Sequence, residues 1–136
     1  MTFPKGRLAV ASMLLALGSA PAWAQQTALD HKVLATNKTS TMEKELNAAA
    51  EAGFQFQSVM GGESAFGGNE VIVVMSRRGA PRARYSYRLL ATSKTSTMQR
   101  ELSDAGAQGF EFVGITVGST AMGGSELVTI TRRRAQ

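Results

Sequence analysis

The 136-residue chain has no cysteine, one histidine, and no apolar run long enough to cross a bilayer. The missing cysteine excludes disulfides, thiol catalysis and a lipobox. The lone histidine, His31, stands beside Asp30. One imidazole and one carboxylate fall short of the three or four ligands that zinc takes, and adjacent residues of a strand point to opposite faces. There is no G-x-S-x-G elbow to mark a serine for His31 to serve. No cofactor is expected. The longest apolar stretch, LAVASMLLALGSA at 8–20, has 13 residues, whereas a spanning helix needs roughly 20.

That stretch has another use. Lys5 and Arg7 precede it, and Ala22-Trp23-Ala24 follows with small residues where a signal peptidase reads. Residues 1–24 therefore read as a cleaved signal peptide of bacterial style, and 25–136 as one mature, periplasmic or secreted domain. Removing Lys5 and Arg7 lowers the formal charge from +5 to about +3, which weakens the case for a polyanion partner. Export argues against nucleic acid. Without disulfides, so small an exported domain has to rely on a packed core.

The chain is also written twice. Residues 31–78 align with 87–134 at a shift of 56 with no gap, and 21 of the 48 positions are identical. This is an internal duplication, joined by a linker at 79–86 whose Gly, Pro and Arg read as exposed. Each copy opens on a short β-rich run, HKVLAT or YRLLAT. A helix is expected from Ser40 to Ala52 and from Ser96 to Gln108. Ser40 with Glu43, and Ser96 with Gln99, have the spacing of capping boxes. Gly53 and Gly109 sit where a left-handed residue closes a helix. Met42, Leu46 and Ala49, like Met98, Leu102 and Ala105, form one stripe for burial.

After each stop, FQFQSVM and FEFVGITV alternate as strands, which predicts burial of Phe54, Phe56, Phe110 and Phe112. A glycine-rich loop and a last strand follow. Ile72 and Val74, matching Val128 and Ile130, are assigned to the core. Val71, Val73 and Met75 are assigned to a greasy outer face. The fold class expected is α+β: two tandem β-α-β-β repeats forming a pseudo-twofold antiparallel sheet with two helices on one face.

Leu46-Asn47 precedes Gly53-Phe54-Gln55-Phe56, Leu102-Ser103 precedes Gly109-Phe110-Glu111-Phe112, and the last strands end on Arg77-Arg78 and Arg133-Arg134. In these motifs the chain resembles the DUF4177 family of small β-α-β-β domains. Each copy would be one family unit. The family more often has tryptophan after that glycine, and the second copy has Ser103 for asparagine. The resemblance implies a fold and no activity.

Three places invite a site. KTST recurs as Lys38, Thr39, Ser40, Thr41 and as Lys94, Thr95, Ser96, Thr97. A helix start carries free N–H groups and partial positive charge, and a lysine with several hydroxyls there suits an anion; serine capping alone is the plainer explanation. In the glycine loop, Gly62, Ala65, Gly67, Gly68 and Glu70 recur as Gly118, Ala121, Gly123, Gly124 and Glu126. Its spacing matches neither a P-loop nor a dinucleotide fingerprint. It reads as a hairpin, with Glu70 and Glu126 free to bind a cation or pair with Arg78 and Arg134. Finally, Arg77, Arg78, Arg82 and Arg84, with Arg132, Arg133 and Arg134, form basic clusters. These suit anionic lipid headgroups or acidic envelope polymers, or a solvated linker and tail.

The expectation is an exported, non-enzymatic binding or interaction module. Its favoured ligand is a small anion, or a partner's acidic patch, at the two helix N-termini. The alternative is an assembly role, with subunits or a partner joined through Val71, Val73 and Met75 or a sheet edge. An enzyme comes third, because the residue types present assemble no nucleophile–base pair or metal set.

Overall fold

The computed structural model describes Thr2 and residues 28–63, 69–79, 83–120 and 124–136. The signal read at 1–24 apart from Thr2, parts of both glycine loops (64–68 and 121–123) and linker residues 80–82, Arg82 among them, lie outside the described residues.

Both copies form the expected unit. The first runs β1 (Leu29–Thr36), α1 (Thr39–Glu51), β2 (Gln55–Glu63) and β3 (Asn69–Arg78); the second runs β4 (Tyr85–Thr92), α2 (Thr95–Ala107), β5 (Glu111–Ser119) and β6 (Ser125–Arg134). The fold is α+β. Its six strands make two three-stranded antiparallel sheets, ordered β1-β3-β2 and β4-β6-β5, rather than one continuous sheet.

The helix stops behave as read. Gly53 and Gly109 take φ of 91° and 86°. Around them Gly53 N–H donates to Ala50 O and Phe54 N–H to Ala49 O, with Gly109 to Gly106 and Phe110 to Ala105 repeating the pattern. These paired bonds are the Schellman arrangement. They turn Phe54 and Phe110 back onto the helix, where both are buried.

The helix starts do not. The N-cap residues are Lys38 and Lys94, in extended backbone, and neither start has a side-chain cap. Ser40 and Ser96 already lie inside the helices. The Glu43 carboxylate instead accepts from Leu89 N–H at 2.9 Å, and the Gln99 amide donates to the Ser103 hydroxyl. Thr36 and Thr92 Oγ1 accept from the lysine N–H groups, which holds the chain extended until helix begins one residue early.

The core assignment of β3 is inverted. In the ladder, Leu34, Val73 and Val59 stand side by side, as do Lys32, Met75 and Phe56. That face carries Val71, Val73 and Met75, all buried, whereas Ile72 and Val74 face outward beside Val33 and Met60 and are only half-buried. In β6, Val128 and Ile130 are buried as expected, and Thr129 and Thr131 on the opposite face are buried too. A strand alternates with period two, so its pattern names two faces without saying which meets a neighbour.

A one-residue bulge interrupts β2 between Phe56 and Ser58 and β5 between Phe112 and Gly114. Phe56 is buried, but its counterpart Phe112 is 54% exposed. The helix stripes differ likewise. Met42, Leu46 and Ala49 are buried, whereas of the second stripe only Ala105 is, with Met98 and Leu102 half-buried. Repeat 1 is covered on its helix side by repeat 2, and repeat 2 has no such cover.

Candidate functional site

The duplicated units are stacked in one direction. Helix α1 packs against β4, the edge of the other sheet, and α2 makes no comparable packing against β1. A twofold would produce both contacts, so the pseudo-twofold expected from the repeat is replaced by a head-to-tail junction.

Its polar centre is Asn47. Tyr87 N–H donates to Asn47 Oδ1 at 2.8 Å, and Asn47 Nδ2 donates to Tyr87 O at 2.9 Å. A carboxamide carries one acceptor and one donor group at the spacing of a peptide. Asn47 therefore pairs with the edge of β4 as another strand would, and Glu43 adds the bond to Leu89 N–H. A free strand edge exposes unpaired peptide groups; here a helix covers it. Tyr87 completes the join from the other side, its hydroxyl accepting from Phe56 N–H at 2.8 Å. Burial pushes the Tyr87 phenol above its ordinary range, and the bond from Phe56 offsets this in part.

Apolar packing closes the junction. The bare face of the second sheet, bearing Tyr87, Leu89, Val128 and Ile130, lies on the helix-bearing face of the first, and these residues share one core with Met42, Leu46, Phe56, Val71, Val73 and Met75. Two glycines allow a close approach. A Cβ at Gly114 would sit 2.8 Å from Phe56 Cζ and Val59 Cγ1, and one at Gly61 would sit 2.5 Å from Val117 O.

The stack leaves two faces open. The bare face of sheet β1-β3-β2 carries Leu29, Val33 and Met60, and the helix-bearing face of sheet β4-β6-β5 carries Phe112, Ile115 and Val117. These six, 41–64% exposed, are all the exposed large hydrophobic side chains among the described residues. Beside the first face, between β1 and α1, runs a groove of about 520 Å³ lined by Lys32 to Ala35, Glu45, Ala48 and Ala49.

Of the residues singled out from sequence, Lys38–Thr41 and Lys94–Thr97 each form one helix start, with both lysines and both serines exposed. Three of the arginines are engaged. Arg77 pairs with Asp30 at 3.0 Å, donates to Ala52 O and stacks 4.5 Å from the Phe54 ring centre. Arg133 repeats this on Gln108 O and Phe110. Ala52 and Gln108 are the C-cap residues, so these two arginines satisfy the negative ends of the helices. Arg132 pairs with Glu111 at 2.8 Å. Burial works against its charge, but bonds to Glu111 and Tyr87 raise its pKa. Arg78, Arg84 and Arg134 are exposed. Arg84 O accepts from Ala135 N–H, which brings Arg84 beside the C-terminal arginines.

Glu70 and Arg78 stand near opposite ends of β3, as Glu126 and Arg134 do in β6. Eight residues of strand span about 26 Å, so neither pair can form. His31 is exposed, and the Asp30 carboxylate beside it is held by Arg77. Among the described residues no group of three or more His, Cys, Asp or Glu could hold a metal ion, and no helix is long and apolar enough to cross a membrane.

Sequence reasoning used Asn47 for a family likeness alone and gave neither it nor Tyr87 a role between the units. Both differ between the copies, as Ser103 and His31, and the comparison of repeats had favoured what stayed the same. Comparison with protein-family models, curated proteins and solved structures yields no match.

Proposed function

We propose that the chain is an exported, non-enzymatic protein-interaction module built from two DUF4177-like units, and that it binds through its two open faces. One observation carries this reading: the exposed large apolar side chains gather on those faces and nowhere else among the described residues. Exposed apolar side chains gathered on one face mark interaction sites. Export predicts a product whose intact mass begins at Gln25.

A photo-crosslinking side chain placed at Val33 or at Phe112 in living cells tests the module. Discrete protein adducts are expected at both positions and none at Lys44, which is exposed on α1. Adducts at Lys44 alone, or at no position, would sink the reading.

A second reading puts a small anion, an acidic envelope polymer or a lipid headgroup at the helix starts. It rests on the absence of side-chain caps there, which leaves first-turn N–H groups open. Titrations with inorganic phosphate and with anionic vesicles, followed amide by amide, test it. Saturable shifts at Lys38–Thr41 and Lys94–Thr97 support it, and their absence removes it.

A further inference from the structure

We propose that the partner for the open faces is a second copy of this chain, docked head to tail. This rests on the interaction-module reading and names its partner. The internal junction supplies the argument. Within one chain, the helix-bearing face of repeat 1 receives the bare face of repeat 2. The faces left over are the bare face of repeat 1 and the helix-bearing face of repeat 2. They are the same two kinds of surface, at the two ends of the stack, and so a second copy brings the missing mate for each.

The exposed residues match the buried ones position by position. Phe112 and Ile115 are the counterparts of Phe56 and Val59, which pack in the junction; Leu29 and Val33 are the counterparts of Tyr85 and Leu89, which pack there from the other side. Among the described residues, the β1 edge at His31 and Val33 lacks the side-chain clamp that Asn47 and Glu43 place on Tyr87 and Leu89. On α2, Gln99 and Ser103 hold the clamp positions and bond only to each other or their own helix. Their groups become available when a strand edge arrives.

The match is looser than its template, and the differences set its strength. Val117 replaces Gly61, and Ser58 replaces Gly114. A Cβ at either template position would overlap its neighbour, so the second copy sits farther out, nearer the ordinary spacing of about 10 Å between sheets. Ser103 also lacks the two-sided bond of Asn47. The contact between copies is therefore weaker than the internal one and depends on concentration. Because its two surfaces differ, it is heterologous, and it propagates into open chains or closes into a ring rather than stopping at a twofold dimer.

Sedimentation velocity on the purified protein, across micromolar to millimolar concentration, tests this with two variants at exposed positions. Val33→Glu blocks one face and Phe112→Glu the other, with circular dichroism to verify the fold. The wild type is expected to grow past the dimer as concentration rises. Each variant alone stays monomeric, and an equimolar mixture of the two forms dimers and nothing larger, since each supplies the face the other lacks. Ser103→Asn with Gln99→Glu rebuilds the clamp and lowers the midpoint concentration roughly fivefold, the worth of one hydrogen bond.

A wild type that stays monomeric overturns the proposal, as does a dimer that survives in one variant and gains nothing on mixing. Monomeric protein with crosslinked adducts of another mass at Val33 and Phe112 removes the second copy and keeps the module. Monomeric protein without adducts removes both.

Discussion

Tyr87 shows how much one side chain joins. Its ring lies in the shared core, its peptide group pairs with Asn47, and its hydroxyl receives the Phe56 N–H. Tyr87→Phe keeps the ring and leaves a buried donor unmatched. The expected loss is about 1–2 kcal/mol in urea unfolding at neutral pH. Titration adds a second signature. Burial raises the phenol's pKa above 10.0 in the folded protein. As pH passes about 10 the unfolded chain releases this proton first and the folded chain keeps it, so the unfolded state binds fewer protons and stability falls with pH. The wild type should therefore lose stability above pH 10 more steeply than Tyr87→Phe; equal slopes would show that the hydroxyl is not held as described. Ser40 and Ser96 teach the converse at the same scale. Their capping-box spacing is sound, but Thr36 and Thr92 fix the preceding lysines in extended backbone and begin each helix one residue sooner.

At the scale of elements, α1 and α2 have the same length and the same Schellman stop, yet they do different jobs. Helix α1 covers a foreign strand edge through Asn47 and Glu43, whereas α2 lies on its own sheet with Ser103 exposed. Asn47→Ala removes the partner of Tyr87 N–H and C=O together and should cost about 2–4 kcal/mol. Ser103→Ala, one repeat later, should stay within about 0.5 kcal/mol. Chemical denaturation of the two variants side by side checks this, and similar losses would mean that the junction is not clamped at Asn47. The strands carry a parallel lesson. Period-two alternation in β3 and β6 was legible, and so was their place as last strand of each unit. Which face of β3 is core was not, because Val71, Val73 and Met75 meet α1 and a second sheet whose approach has no local signal.

At the scale of the whole molecule, the junction depends on close approach. Gly114→Ala would push a methyl into Phe56 and Val59 and should destabilise by about 1–3 kcal/mol. Gly106, inside α2, has nothing within 4 Å of where a methyl group would stand, and Gly106→Ala should stabilise by about 0.5–1 kcal/mol through helix propensity. Thermal unfolding of both variants separates a tight junction from generic glycine effects, since a loose one would let Gly114→Ala behave like Gly106→Ala. The same geometry explains the arginines. Of the clustered arginines, Arg77 and Arg133 are engaged with helix C-termini and phenylalanine rings, Arg132 pairs with Glu111, and Arg78, Arg84 and Arg134 stay exposed.

Local sequence was enough for the two β-α-β-β units, the glycines that end their helices and the buried apolar stripe of α1. All of these follow from dihedral preference, hydrogen-bond satisfaction and periodicity within a few residues of one another. The duplication also marked which positions the two copies share. Tertiary packing was needed to stack the units in one direction, to divide six strands into two sheets, and to bury Phe56 while leaving Phe112 exposed. Those outcomes depend on Asn47, Tyr87, Gly61 and Gly114 meeting their partners across a junction between residues 31 or more positions apart. A duplicated sequence predicts two alike units, but it holds no local signal for the surface on which one rests against the other.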